Sequence, residues 1–151
     1  MQPALFAILE KMSQDAEVFE LPIAIAPSDI DELGHVNNVV YLRWVQDVAT
    51  AHWRAAATPE DQEKVLWVIL RHEIDYKRAA MPGDGIVART WVGTSTRATF
   101  ERFTEIVRAA DRTLLAKART LWCPVDARTL RPMGVSASVK ERFSSPAGSA
   151  V

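Results

Sequence analysis

The chain is predicted to form one α+β domain, a five-stranded antiparallel sheet around a single long buried helix, with a short helix in front. Three observations carry this expectation. Its 151 residues are enough for one core and too few for two substantial ones. Residues 39–57 contain neither Gly nor Pro and are apolar around much of the helical circumference. From residue 65 onward, four long β-type runs are separated by short turn signals.

The elements follow in chain order. Leu5, Phe6, Ile8, Leu9 and Met12 recur at helical spacing, so residues 3–13 are predicted to be an amphipathic helix and residues 1–17 a helical extension of the domain. Val18 to Pro27 reads as a strand, with Pro22 placing it at an edge or giving it an irregular start. Tyr41, Val45, Val48 and His52 form one stripe of the central helix, and Val40, Trp44, Asp47 and Ala51 lie beside it. The run ATPEDQEK then reads as a polar loop. In VLWVILRHEIDYKR, period two puts Val68, Leu70, His72, Ile74 and Tyr76 on one inward face. The runs GIVARTWVGTST, TFERFTEIVRAA and TLLAKARTLWCPVD complete the sheet. Pro82-Gly83-Asp84-Gly85 and Ala110-Asp111-Arg112 are the turn signals, and short connections predict an antiparallel meander. SASVKERF is expected to be helical; the domain is taken as residues 18–143, with 144–151 a frayed tail. One helix covers one face of a sheet, so a second copy is expected against the other face, as a dimer.

Composition narrows the chemistry. A net charge of −1 lacks the basic excess of a nucleic-acid partner. The 13 Arg and 5 Lys bias the cations toward the guanidinium fork, which suits carboxylate or phosphate. Cys123 is the only cysteine, so no intrachain disulfide or thiolate metal cluster is expected, and it reads as a small buried hydrophobe. The three histidines lack local zinc-ligand spacing. Neither a signal-peptide pattern nor an apolar run long enough for a membrane span is read, and a cytoplasmic protein without membrane contact is expected. There is no G-x-S-x-G elbow, P-loop or dinucleotide fingerprint, which disfavours serine-hydrolase and nucleotide-driven chemistry.

The most concentrated run of polar residues is Asp29-Ile30-Asp31-Glu32-Leu33-Gly34-His35-Val36-Asn37-Asn38. On residue types alone it reads as a turn and helix cap, because Asp, Asn and Gly favour both. A helix start also offers unpaired N–H groups and a positive dipole end to a negative charge.

This run, with Tyr41 and Trp44 after it, resembles the signature of hotdog-fold acyl-CoA thioesterases of the 4-hydroxybenzoyl-CoA thioesterase-like group. IDYKRAAMPGD and LAKARTLWCPVDARTLRPM resemble later parts of that family, so the likeness covers about residues 18–143. The resemblance implies a hotdog fold, subunits paired into dimers or tetramers, and hydrolysis of an acyl-CoA or acyl-carrier-protein thioester. No cofactor is implied beyond the coenzyme A of the substrate. It makes Asp31 the catalytic carboxylate, as nucleophile or general base, and places the carbonyl-polarising N–H at or near Asn38. His35 and Asn37 are expected to steady the loop or orient water, and Gly34 to allow close approach of substrate. Gly34, Asn37 and Tyr41 are carried as substrate-binding candidates, and Arg78 and Arg97, with Lys77, as phosphate-docking candidates. Trp44 and Trp91 are candidates for lining an acyl channel.

Asp47 is the reserve catalytic carboxylate, because parts of the wider hotdog superfamily use a helix-borne acid and because it is expected to be buried. Two rivals stand beside this reading: a hotdog dehydratase on hydroxyacyl thioesters, which needs a catalytic His such as His72 or His35, and a non-catalytic acyl-CoA-binding module.

Overall fold

A computed structural model describes residues 17–144. The expected helix at 3–13 and the tail beyond 144 lie outside them. Strand β1 (Phe19–Ala24) leads through a 3-10 turn at Pro27–Asp29 into helix α1 (Asn38–Ala56), then α2 (Pro59–Lys64). Strands β2 (Val65–Tyr76), β3 (Gly85–Ser95), β4 (Phe100–Arg108) and β5 (Leu114–Asp126) follow, and α3 (Ala137–Ser144) comes last. All strand pairs are antiparallel, in the order β1-β3-β4-β5-β2. β1 is an edge strand, which suits Pro22, a residue with no N–H for a second ladder.

Helix α1 buries Val40, Tyr41, Trp44, Val45, Val48, Ala49 and His52 against the inner face of the sheet. Ile86, Ala88, Ile106 and Ala116 meet it there. Its 3.6-residue period therefore matches the Tyr41/Val45/Val48/His52 stripe. Burying such side chains contributes roughly 1.5–3 kcal/mol each, which outweighs the modest helix propensity of the four valines.

Three sequence expectations change. ATPEDQEK is a helix, not a loop: Thr58 accepts from the Asp61 N–H, Pro59 opens the first turn and Lys64 bonds Glu60. A cap followed by Pro and acids is the physical signal for a helix start, and the polarity of the run obscured it. β2 does not keep one face along its length. A bulge between Ile69 and Arg71 shifts the register, so Val65, Trp67 and Ile69 face inward before it and His72 and Ile74 after it. Val68 and Leu70 are consequently exposed, at 46% and 55%. Only β3, β4 and β5 form a meander, because β2 pairs with β5 and the segment 77–84 must cross to β3.

The outer face of the sheet carries ion pairs, Arg89 with Glu20 and Glu105, and Arg119 with Glu101, beside the stacked Trp91 and Phe103 and the exposed, outward Leu66, Val68 and Leu70 of β2.

Candidate active site

The loop before α1 is built from its own backbone. Asp31 N–H donates to the His35 carbonyl at 3.0 Å, and Gly34 N–H to the Asp31 carbonyl at 3.0 Å. An isolated bridge joins Ile30 to Val36. Gly34 has φ +81°, a left-handed conformation that side chains disfavour, so the turn itself requires glycine.

Asp29 is the anchor, a role that sequence reasoning missed. It is 2% exposed, takes Arg43 Nη2 at 2.8 Å on one carboxylate oxygen and the Ala26 N–H at 2.8 Å on the other, and its carbonyl accepts the Asn37 N–H. Burial would raise its carboxyl, but the bonds from Arg43 and Ala26 outweigh that and hold it below the usual carboxylate range. The signal was the alternation in Asp29-Ile30-Asp31. Neighbours two apart in an extended stretch share a side, but the 3-10 turn ending at Asp29 separates the two acids.

Asn37 is the N-cap of α1: its side-chain oxygen accepts the Val39 N–H at 3.1 Å, and its carbonyl accepts the Val40 N–H at 3.0 Å. Among the described residues the Asn38 N–H donates to nothing. The crossing segment 77–84 clasps this helix start. Val36 N–H donates to the Ala80 carbonyl, Ala80 N–H donates to the Tyr41 hydroxyl at 2.8 Å, and Tyr76 Oη donates to the Asn38 carbonyl at 2.9 Å. Tyr41 is 2% exposed, and its ring meets Tyr76 edge-on at 5.3 Å. Its hydroxyl thus has a backbone to satisfy.

The loop brings Asp31 and His35 together, with His35 Nδ1 3.8 Å from Asp31 Oδ1. Asp31 Oδ1 also accepts the Leu33 N–H at 2.9 Å. Both side chains are only partly buried, so the pair is open to a ligand.

Other candidates lie elsewhere. Asp47 is exposed, not buried: α1 turns Arg43, Gln46, Asp47 and Arg54 away from the sheet, and a step of three from Trp44 carries Asp47 past the edge of the buried stripe. It stands nine residues along the helix from Asn38, about 14 Å at 1.5 Å per residue. Arg78 and Arg97 are both exposed and lie near opposite ends of the sheet. The first follows the Tyr76–Ala116–Ile106 row and the second the Ser95–Phe100–Trp122 row. These rows are six residues apart on β4, about 20 Å at 3.3 Å per residue. One chain cannot close the two on one phosphate.

His72 Nδ1 lies 2.9 Å from Thr120 Oγ1, its cross-strand neighbour, and burial lowers its pKa. Trp44 is buried against Tyr41, and Trp91 stacks on Phe103 on the outer face. Cys123 is buried, with Sγ directed at the Pro124 carbonyl. No helix among the described residues is long and apolar enough to cross a membrane.

A five-stranded antiparallel sheet packed on one long helix, with a capped helix start held by a carboxylate-bearing loop, defines a hotdog-type protein. Solved structures share this fold. The 1,4-dihydroxy-2-naphthoyl-CoA thioesterase of Synechocystis aligns at TM-score 0.72 and 15% identity, over 83% of this chain and 95% of that one. The PA5185 protein of Pseudomonas aeruginosa aligns at TM-score 0.75 and 17% identity, over 85% and 94%. A thioesterase of Thermus thermophilus, solved with coenzyme A and Zn, aligns at TM-score 0.72 and 19% identity, over 85% and 91%. The comparison with curated proteins finds no match. The model of the thioesterase-like superfamily matches residues 25–143, and the chain belongs to that family.

Proposed function

We propose that the protein hydrolyses the thioester of an acyl-CoA or an acyl-carrier protein, with the Asp29–Asn38 loop as its reacting centre. The observation that carries this reading is the capped start of α1. There the Asn38 N–H donates to nothing among the described residues, in the loop that also presents the Asp31 carboxylate. A free helix-start N–H carries partial positive charge and needs no reorganisation to receive an oxyanion. In this reading the thioester carbonyl oxygen points at that N–H. Asp31 either attacks the carbonyl carbon or takes a proton from the attacking water. The C–S bond then breaks and the thiolate leaves and takes up a proton. On the nucleophilic route a water then hydrolyses the acyl–Asp31 anhydride; on the general-base route the water oxygen already sits on the acyl carbon. On both, the free acid is released and Asp31 restored. His35, within 3.8 Å of Asp31, steadies or exchanges a proton with the carboxylate.

Superfamily membership, and the acyl-CoA named for the Synechocystis thioesterase, support a CoA-linked substrate. The expected experiment is a thiol-release screen across a panel of acyl-CoAs, repeated with Asp31→Asn. That variant should retain its thermal midpoint and lose at least a hundredfold in kcat on the best substrate. Unchanged turnover would sink the assignment of Asp31. Acyl-CoA binding without thiol release would favour a binding module.

Self-association belongs to the same proposal. β2 is an edge strand whose outward Leu66, Val68 and Leu70 are exposed, and a strand of a second copy would pair its free edge and cover those side chains.

A further inference from the structure

A cavity of about 410 Å³ opens beside the second half of α1, at the Phe100–Trp122 end of the sheet. Residues 29–41 form none of its described wall, so it is separate from the loop assigned to thioester chemistry. Ala49, Trp53, Val65, Trp67, Phe100 and Trp122 make much of the wall apolar.

Arg102 also lies on that wall, and it is 8% exposed. Its Nη1 lies 2.9 Å from His52 Nδ1 and 3.1 Å from Thr90 Oγ1. Both partners are uncharged acceptors. His52, fully buried, is held neutral because burial and the adjacent guanidinium push its pKa down to about 3. Burial lowers Arg102 itself to about 10, which leaves it cationic at neutral pH. Glu17 Oε2 lies 4.0 Å from His52 Nε2, the ring nitrogen that does not meet Arg102. Glu101, also on the cavity wall, is taken by Arg119 and Thr94 on the other face of β4. Arg54, the other cation there, is exposed.

Among the described residues, therefore, Arg102 has no carboxylate, and its Nε and Nη2 edge makes no hydrogen bond. A buried cation without a counter-ion is costly, and the free edge of a guanidinium is the side that takes a carboxylate in two parallel bonds. An apolar cavity of this size with one such group suits a small amphiphilic acid.

We propose that this cavity binds an apolar monocarboxylate, its carboxylate on the Nε and Nη2 edge of Arg102 and its hydrocarbon body against Trp53, Trp67, Phe100 and Trp122. The proposal does not depend on hydrolysis at Asp31. Calorimetric titration of the full chain with octanoate and with 1-octanol tests it. Octanoate should bind at least tenfold more tightly. Arg102→Met should lose at least tenfold in octanoate affinity and leave octanol within twofold. Equal affinity of the parent for acid and alcohol, or unchanged octanoate affinity in Arg102→Met, overturns the assignment. Should that variant fail to fold, Thr50→Trp places bulk at the cavity wall and should abolish octanoate binding; binding at the parental affinity would likewise overturn it.

Discussion

Asp29 and Asp31 are two positions apart and serve opposite ends. Asp29 is sealed by Arg43 and the Ala26 N–H, whereas Asp31 is left partly open beside His35. Identical side chains thus divide into a sealed anchor and a partly open carboxylate, the proposed reagent, because the 3-10 turn ends at Asp29. His52 is a third case in which surroundings decide chemistry. It stacks on Phe19 at 4.9 Å, meets Phe143 at 4.8 Å and lies against Arg102, so its protonation is strongly resisted in the fold. Its folded pKa of about 3 lies below the ordinary 6.5, so below pH 6.5 the unfolded chain takes up a proton that the folded chain refuses. Stability from this residue is complete above pH 6.5 and falls as pH drops toward 3, by up to about 1.4 kcal/mol per pH unit. Thermal melts from pH 7 to 4 should steepen accordingly, and His52→Gln should flatten that part of the profile. An unchanged slope in the variant would remove His52 as the cause.

At the scale of elements, the start of α1 depends on the segment 77–84 that crosses from β2 to β3. Tyr41 is the hinge of that dependence: its hydroxyl satisfies the Ala80 N–H, whose residue is fully buried. Tyr41→Phe keeps the ring packing and orphans that N–H, which should cost about 1–3 kcal/mol. Urea unfolding of the variant should show a lower midpoint at an unchanged m-value. A neutral result would mean that water reaches the Ala80 N–H. Tyr41 stands as a substrate-binding candidate on sequence because it belongs to the run that resembles the family signature. What the sequence lacks is the location of Ala80, thirty-nine residues away. The helix, its buried stripe and its Asn cap were legible, because period and cap chemistry are local. The expectation of a buried Asp47 rests on its place after Val40 and Trp44; both of those are buried, and only the packing against the sheet decides that the step of three from Trp44 leaves Asp47 exposed.

For the whole molecule, the proposed second copy pairs along β2, whose outward Leu66, Val68 and Leu70 stand exposed beside an open ladder. Leu70→Lys should shift sedimentation equilibrium from a dimer or tetramer toward the single-chain mass at micromolar protein, without loss of the folded circular-dichroism spectrum. A wild-type chain that sediments as one copy would refute the edge-pairing proposal. The sequence alone determined the strand and helix inventory from β1 onward, apart from α2, the motif loop and its membership in a thioesterase-like pattern, because periodicity, turn residues and caps act within a few neighbours. Tertiary structure alone decided the placement of β2 beside β5, the bulge that turns Val68 and Leu70 outward, and the meeting of Arg102 with His52 fifty residues away. Those depend on which surfaces pack together, and packing partners distant along the chain leave no local pattern to read.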